Sequence, residues 1–366
     1  MLDLVAQHQS IREEVLRAVA SVVDRQAFIM GAEVPALEEA VARASATRFA
    51  VGCASGTDAL LLPLRALGLR PGDEVITTPF TFFATAGAVH NAGGRPVFVD
   101  IEADSFNIDP AAIEAAITPR TRAIIPVHLF GQMAALEQIL PIARKHNLAV
   151  IEDAAQSIGA RRKVDGRWAM SGELGTCGTL SFFPSKNLGG WGDGGMIVTQ
   201  DEKVAARLRT ERLHGGTKQY YHDDVGLNSR LDTLQAAVLL AKLPHLAAWS
   251  EARRRNAARY TAAFQGSAVR PPVTDAANEH IYNQYTIRAP KRDALQAHLK
   301  ESGIGSAIYY PLPLHLQPCF SYLGYKPGSM PVSEKAAGEV LSLPVYPELT
   351  AVQQDSVIDT VNRFYA

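Results

Sequence analysis

The chain has 366 residues, of which 47% are hydrophobic and 20% charged, a composition typical of a folded globular protein. A formal net charge of -1 provides no basic footprint, so we expect neither nucleic acid nor a membrane surface as a partner. Three cysteines without CxxC spacing indicate neither a disulfide framework nor a zinc site, and no metal is expected. With no secretory signal and no apolar run of about 20 residues, we expect a cytoplasmic protein.

From about residue 45 to 200, apolar strand-like runs alternate with helical stretches, which predicts an α/β core with a mostly parallel sheet. The predicted strands are Phe49–Cys53, Glu74–Thr77, Pro96–Asp100, Ala123–Val127 and Ala149–Asp153. Pro126 cannot donate to a sheet ladder, so we expect an irregularity there. Asp109 and Pro110 are typical of a helix start, and Ile113 and Ile117 continue that helix at the right spacing.

Polar residues follow several of these strands, and ligands bind outside the carboxyl ends of strands in open α/β sheets. Gly56 and Thr57 stand where the first strand meets a helix, so their amides could hold a phosphate, or the segment could be an ordinary helix cap. Asp153 could keep a pyridine nitrogen protonated, or it could cap a helix. We favour Asp153 over Glu152 because it shares a face with Ile151. Phe82 could stack on a flat ring or belong to the core.

A glycine-rich loop follows Lys186, between two apolar strands. Glycines allow the backbone to come close to a bound group, and burial lowers the pKa of a lysine. Lys186 is therefore a candidate nucleophile that could form a Schiff base with an aldehyde. The alternative is a hairpin whose lysine extends to water. No P-loop pattern is present, and no Gly-x-Gly-x-x-Gly follows the first strand at Ser55, which disfavours ATP and NAD.

After Asn228 the pattern changes to a long helical region, from Leu231 to about Phe264, with an expected kink at Pro244. The basic run 253–255 is interpreted as a solvated face. Beyond it, a strand over 282–289, a helix over 292–302 and a strand over 307–310 predict a smaller α+β unit. We predict a large domain over residues 1–245 and a small C-terminal domain over 246–366. The proline-rich segment 310–318 is expected to be an ordered loop near a site.

These motifs, in this order, resemble the DegT/DnrJ/EryC1/StrS family of sugar aminotransferases, which have the fold-type I architecture and use pyridoxal 5'-phosphate (PLP). The resemblance spans nearly the whole chain, and several long motifs in order are more specific than any one of them. The segments that carry it are 31–34, 55–60, 80–85, 151–157, 181–186, 228–237 and the loop at Tyr310.

The resemblance implies a role for each matching residue. Lys186 would be the Schiff-base lysine and Asp153 the partner of the pyridine nitrogen. The remaining cofactor residues would be Gly56, Thr57 and Ser181 at the phosphate, Gln156 near the ring hydroxyl, Phe82 over the ring, and Asn228 reaching the phosphate of the neighbouring subunit. Substrate-side residues would be Tyr309, Tyr310, His315 and Arg230, although Arg230 could instead pair with Asp232.

The family resemblance also implies transfer of an amino group from L-glutamate to a nucleotide-linked ketosugar by a homodimer with shared active sites. The chain resembles in particular enzymes that make 3-amino sugars, including those acting on UDP-3-keto-2-acetamido-glucuronate. Amination of a cyclitol or other carbocyclic ketone stays open, as does a non-catalytic regulatory role. A dehydratase of the same fold would replace Lys186 with histidine, so the lysine argues against that activity.

Overall fold

A seven-stranded sheet covered by helices forms the larger part of the computed structural model, which describes all 366 residues. The α-helices are α1 (Leu4–Arg25), α2 (Glu33–Ala44), α3 (Gly56–Ala66), α4 (Ala84–Asn91), α5 (Pro110–Ile113), α6 (Leu136–Lys145), α7 (Glu202–Glu211), α8 (Thr233–Lys242), α9 (Leu246–Ala263), α10 (Arg292–Glu301), α11 (Pro331–Glu339) and α12 (Ala351–Tyr365). The strands are β1 (Phe49–Cys53), β2 (Glu74–Thr77), β3 (Arg95–Phe98), β4 (Thr121–Ile125), β5 (Ala149–Asp153), β6 (Arg161–Val164), β7 (Arg167–Met170), β8 (Cys177–Ser181), β9 (Gly195–Thr199), β10 (Gly216–Lys218), β11 (Tyr221–His222), β12 (Asn278–Glu279), β13 (Tyr285–Arg288) and β14 (Val340–Leu343).

The strand order in the main sheet is β1-β9-β8-β5-β4-β2-β3. Strands β8, β5, β4, β2 and β3 run parallel to one another, whereas β9 is antiparallel to both β1 and β8. This confirms the predicted mostly parallel sheet. Because parallel strands end at the same edge, the residues after β5 and β8 are brought together.

Apolar side chains cover both faces of the sheet, since neighbouring residues of a strand point to opposite sides. On one face, Val51 and Ile151 pack with residues of α3, α4 and α7. On the other, Met196 and Val198 pack with α2 and α8, and Val150 packs with α6. Helices on both faces therefore bury the strands, as the apolar runs predict.

Two local predictions near β4 and α5 have different outcomes. Strand β4 ends at Ile125, and the Pro126 carbonyl accepts a hydrogen bond from the Asp153 amide at 2.9 Å, so the expected irregularity at Pro126 is present. Asp109 caps α5 by accepting from the Ala111 amide. The predicted continuation of that helix is wrong, because a 3₁₀ turn follows and Ile117 is extended.

The region after Asn228 is kinked as expected. A 3₁₀ turn over Leu243–His245 separates α8 from α9, and it contains Pro244, whose ring is incompatible with a continuous helix. The interpretation of the basic run as solvated is wrong for Arg253, which is 3% exposed. Its Nη1 atom donates to the carbonyls of Tyr282 at 3.1 Å and Val345 at 2.9 Å, which compensates for the loss of water.

The C-terminal part contains a separate antiparallel pair, β13 and β14. A second apolar cluster joins this pair to α9, α10 and α12. The predicted strand over 307–310 is wrong, because only Ala307 pairs, with Ser342 on the edge of β14. The separate cluster supports the division into 1–245 and 246–366, which stays a prediction. No helix of the chain combines the length and apolarity needed to cross a membrane.

Candidate active site

The start of α3 and the end of β8 meet at the phosphate side of the predicted site. A Cβ atom on Gly56 would lie 2.6 Å from the Ser181 Cβ, so only glycine permits this approach. Ser55 Oγ accepts from the Asp58 amide at 3.1 Å. The amides of Gly56 and Thr57, at the start of the helix, have no partner within it, and Gly56 lies directly against Ser181. A helix start of this kind binds anions through its amides and its dipole.

Two adjacent carboxylates at the end of β5 have different surroundings. Glu152 is fully buried and accepts hydrogen bonds from His128 Nε2 at 2.8 Å and from three backbone amides, those of Gly172, Leu174 and Gly175. All its acceptor capacity is used inside the protein, so Glu152 is a structural residue. Asp153 points the other way, as its face on the strand predicts.

The carboxylate of Asp153 is 4% exposed and is oriented by two donors. Thr85 Oγ1 donates to Oδ2 at 2.7 Å, and the Ala155 amide donates to Oδ1 at 3.2 Å. Burial raises the pKa of Asp153, while the Thr85 hydrogen bond and the positive charge of Lys186 oppose that rise. A positively charged ring nitrogen placed against this carboxylate would favour its ionised form.

Lys186 lies in the turn after β8, close enough to Asp153 for their charges to interact. Desolvation lowers its pKa to about 8, and the attraction of Asp153 only partly opposes this. About a tenth of its amine is therefore unprotonated at pH 7, far more than for an ordinary lysine, and is available as a nucleophile or a base. This environment is that of a reactive lysine and not of one extended into water.

Aromatic and amide side chains form another wall. Gln156 Oε1 accepts from the Phe130 amide at 2.7 Å, and its Nε2 donates to the Tyr310 hydroxyl at 3.2 Å, which leaves one amide hydrogen free. The Phe82 ring lies 6.5 Å from the Tyr310 ring and is 58% exposed, so it is open to a stacking partner. Tyr309 packs edge-on against Tyr310.

The remaining predicted residues lie farther out. Asn228 is exposed, and it lines a polar cavity of about 450 Å³ together with Arg230 and Asp232. Arg230 and Asp232 form no salt bridge, so the guanidinium is free to meet another anion. His315 is buried, with its Nε2 atom 3.0 Å from Glu334 Oε1, and is already engaged within the C-terminal part.

One contributor to the site, Thr85, was not recognised from the sequence, although it stands in the segment 80–85. Its hydrogen bond to Asp153 joins residues 68 positions apart, so only the fold reveals it. A threonine in the first turn of α4, buried and following an apolar strand, is the signal that could have directed attention to it.

These residues fit PLP. Lys186 would supply an amine for its aldehyde, Asp153 a carboxylate for its ring nitrogen, and Phe82 a surface for the ring. The amides of Gly56 and Thr57 could hold its phosphate, since Gly56 has no Cβ to fill the space beside Ser181. The fold and the site together define a PLP-dependent transferase of fold type I.

Comparison with known proteins identifies the family. The profile of the DegT/DnrJ/EryC1/StrS aminotransferase family matches residues 9–362. The chain belongs to this family, and it is a PLP-dependent aminotransferase.

Three relatives align with this chain over nearly their full length. A pleiotropic regulatory protein of Geobacillus stearothermophilus is 53% identical over 100% of this chain and 98% of its own. UDP-N-acetyl-3-dehydro-alpha-D-glucosamine 3-aminotransferase of Acidithiobacillus ferrooxidans is 47% identical over 99% of this chain and 97% of its own. UDP-2-acetamido-2-deoxy-3-oxo-D-glucuronate aminotransferase of Pseudomonas aeruginosa is 44% identical over 95% of both chains.

Solved structures agree with the fold and the cofactor. DesV of S. venezuelae, solved with a ketimine intermediate, superposes with a TM-score of 0.95 at 41% identity, covering 99% of this chain and 97% of its own. The PLP form of a putative sugar aminotransferase, Spr1654 of Streptococcus pneumoniae, gives a TM-score of 0.89 at 25% identity over 96% and 95% of the two chains.

Proposed function

We propose that this protein transfers the amino group of L-glutamate to the 3-keto group of a nucleotide-linked sugar, for an amino sugar of a lipopolysaccharide or a glycosylated natural product. The observation that carries the proposal is a desolvated lysine beside an oriented carboxylate in a chain of this family. The Acidithiobacillus and Pseudomonas relatives are named for 3-keto UDP-sugars, which supports the sugar, the position and the nucleotide.

The expected placement in the cytoplasm is supported by three cysteines that are all unpaired.

PLP, when bound, supplies an aldehyde carbon that accepts amines and a ring that withdraws electrons from the carbon attached to the transferred nitrogen. Lys186 would hold that aldehyde in the resting enzyme and, as a free base, would take the proton from the glutamate α carbon. Asp153 would hold the ring nitrogen in its protonated form, and the Thr85 hydrogen bond orients the carboxylate for this task. When the sugar is aminated, Lys186 returns a proton to the sugar carbon that receives the nitrogen.

Two further groups complete the proposed site. Gln156 uses its free amide hydrogen to orient the ring hydroxyl, since its other polar atoms are engaged. Arg230, with Tyr309 and Tyr310, would contact the sugar nucleotide. A guanidinium without a partner suits a sugar carboxylate, as in a keto-glucuronate.

We also propose that the working unit is a homodimer in which Asn228 reaches the phosphate of the partner's cofactor. Ser229 donates to Asp58 Oδ2 at 2.6 Å, which fixes this segment on its own chain while Asn228 stays exposed. The side chains of Phe28 and Ile29 form an apolar, exposed segment, with 36% and 51% of their surfaces accessible. Such a segment is expected of a surface that a second copy covers.

The name of the Geobacillus relative favours a second candidate, a regulatory role. Regulation does not require a reactive lysine or its carboxylate partner, whereas this chain retains both.

One assay tests the proposed reaction. The purified holoenzyme is supplied with L-glutamate and a panel of UDP-linked and dTDP-linked 3-keto and 4-keto sugars and a cyclitol-derived ketone, and products are identified by mass spectrometry. We expect an amino sugar from a 3-keto substrate and 2-oxoglutarate in equal amount. Lys186→Ala should produce neither, and it should lack the visible absorption band that PLP gives when bound to the lysine. Amination of the carbocyclic ketone alone, or of no compound, would contradict the proposal.

A further inference from the structure

The loop that follows Lys186 is held by one face of α8. The Trp191 amide donates to Gln235 Oε1 at 2.8 Å, and Lys242 Nζ donates to the Gly189 carbonyl at 2.5 Å. Gln235 and Lys242 are seven residues apart, which is two turns of a helix and places them on the same side. One face of α8 therefore contacts the loop at two places, through Gln235 and through Lys242.

The glycines of the loop match these contacts. A Cβ atom on Gly190 would lie 2.7 Å from Gln235 Oε1, and one on Gly192 would lie 2.9 Å from Gln235 Nε2. The amide of Gln235 thus lies directly against the loop backbone. A Cβ on Gly189 would lie 2.3 Å from the Pro184 carbonyl, so the loop also packs closely on the turn before the lysine.

The held segment is connected directly to the reactive lysine. The Gly190 amide donates to the Phe182 carbonyl at 2.8 Å, and the Lys186 amide donates to the Phe183 carbonyl at 2.9 Å. Lys186 lies inside a chain segment closed by these two hydrogen bonds. A shift of Gly189 or Trp191 would therefore move the backbone from which the lysine side chain extends.

The support itself is rigid. Val238 of α8 packs with Ile11 and Val15 of α1, and Leu239 packs in the cluster that covers β8 and β9. Interiors packed in this way resist displacement. The position of α8 is therefore set by the core and not by the loop.

Burial of the Lys242 ammonium group is unfavourable for the stability of the fold. It is 6% exposed and forms no salt bridge; desolvation lowers its pKa to about 8, with Glu348 the only charged group that opposes this. The Trp249 ring lies 5.9 Å from its ammonium and is its remaining favourable neighbour. An apolar side chain of similar size would fill the same space without burying a charge. The ammonium is better explained by its hydrogen bond to the loop.

We propose that Gln235 and Lys242 are positioning residues, which fix the glycine-rich loop and so hold Lys186 where its amine reaches the donor carbon. This inference rests on the aminotransferase activity proposed above. Neither residue needs to touch the substrate, and small displacements of a reacting group are enough to slow the chemistry strongly.

The test measures the first half-reaction, in which L-glutamate converts bound PLP to pyridoxamine phosphate. Holoenzyme is mixed with glutamate in the absence of a sugar, and the change in absorbance is recorded by stopped flow. Lys242→Met should slow this step on the order of tenfold, with little change in the glutamate concentration needed for half-saturation. Its thermal midpoint should be equal to or above that of the wild type, because a buried charge is removed. Lys203→Met, an exposed lysine of α7, is the control and should change neither quantity.

A second pair of variants tests the other contact. Gln235→Leu removes the acceptor for the Trp191 amide and should also slow the half-reaction on the order of tenfold. Gln235→Glu retains an acceptor oxygen and should recover most of the rate. The pH dependence of the visible absorption band should shift in Gln235→Leu and Lys242→Met but not in Gln235→Glu, a change that a purely structural role would not cause.

Two outcomes would overturn the inference: wild-type half-reaction rates in both Lys242→Met and Gln235→Leu, or rates that fall only in proportion to the folded, PLP-loaded protein. If wild-type protein itself failed to react with glutamate, the proposed donor would be wrong, so the two proposals fail on different observations.

Discussion

Lys186 and Lys242 are both desolvated lysines, with pKa values lowered to about 8, but their ammonium groups have different surroundings. Lys242 is committed to the Gly189 carbonyl, whereas Lys186 has only the charge of Asp153 nearby. A lowered pKa therefore identifies a reactive amine only together with a free approach to it.

Uptake of PLP by the cofactor-free protein should accelerate as the pH rises through about 8. The group responsible is Lys186, whose neutral amine attacks the aldehyde, and lowering its pKa to about 8 places this change in the accessible range. Below that pH, the rate should fall about tenfold per pH unit as the amine becomes protonated. The measurement is the growth of the visible band after mixing with PLP at fixed concentration. A rate that is flat or falls between pH 6.5 and 8 would show that the free amine is not limiting.

Replacing the carboxylate partner should affect chemistry more than cofactor binding. Asp153→Asn cannot hold the ring nitrogen in its protonated form, so we expect turnover to fall on the order of 100-fold. The dissociation constant for PLP should change by less than about tenfold, because the phosphate contacts remain. Asp109→Asn, which alters a plain helix cap, is the control and should leave turnover unchanged. Unchanged turnover in Asp153→Asn would reduce Asp153 to a cap as well.

At the scale of elements, the start of α3 and the end of β8 form the phosphate site by close packing. Gly56→Ala would place a methyl group 2.6 Å from the Ser181 Cβ and must push the two elements apart. We expect PLP affinity to fall on the order of tenfold or more, since the amides no longer converge on the phosphate. The dissociation constant is measured by titrating cofactor-free protein.

Gly338→Ala is the matched control for that change. Gly338 lies in α11 with no atom within 4 Å of an added Cβ, so its replacement should leave PLP affinity unchanged and stabilise the helix slightly. Equal PLP affinity in the two variants would show that the approach of α3 to β8 does not shape the site.

The buried arginine of α9 should be important for stability. Arg253→Ala leaves the carbonyls of Tyr282 and Val345 without their donor, so we expect the thermal midpoint to fall on the order of 5 °C or more. Arg255→Ala, in the same basic run but exposed, should change it by less than about 1 °C. Circular dichroism during heating gives both values, and equal shifts would mean that burial of Arg253 contributes nothing.

The sequence predicted most of the elements, because apolar runs and strand-end residues follow local rules. Lys186, Asp153, Gly56 and Ser181 were expected at one edge of the sheet, and the structure brings them there. Contacts between distant segments were not predictable in this way. The burial of Arg253 depends on carbonyls 29 and 92 positions away, so the basic run by itself predicts a solvated face. The isolated pairing of Ala307 with Ser342 likewise depends on the position of β14 in the fold.

At the scale of the whole molecule, the proposed shared site predicts complementation between two defective chains. A Lys186→Ala chain and an Asn228→Ala chain should each be folded, dimeric and severely impaired as homodimers. In a mixed dimer, one site combines the intact lysine with the intact asparagine, and the other carries both defects. Activity should recover to about half of wild type per mixed dimer. Mixed dimers no better than the average of their parents would mean that Asn228 serves its own chain.

The strand order also determines when the main sheet can be completed during synthesis of the chain. Strand β1 is bonded only to β9, with Phe49 opposite Thr199, about 150 residues later in the chain. At the usual pace of translation, β1 emerges from the ribosome roughly 10 to 30 s before its partner exists. During that interval, an apolar strand of the sequence Phe-Ala-Val-Gly-Cys has an unpaired edge, the kind of segment that associates with other nascent chains. Ser181, the last residue of β8, pairs with Gly195 of β9, and Lys186 lies between these two strands. The nascent chain therefore has no catalytic site until more than half of it has been made.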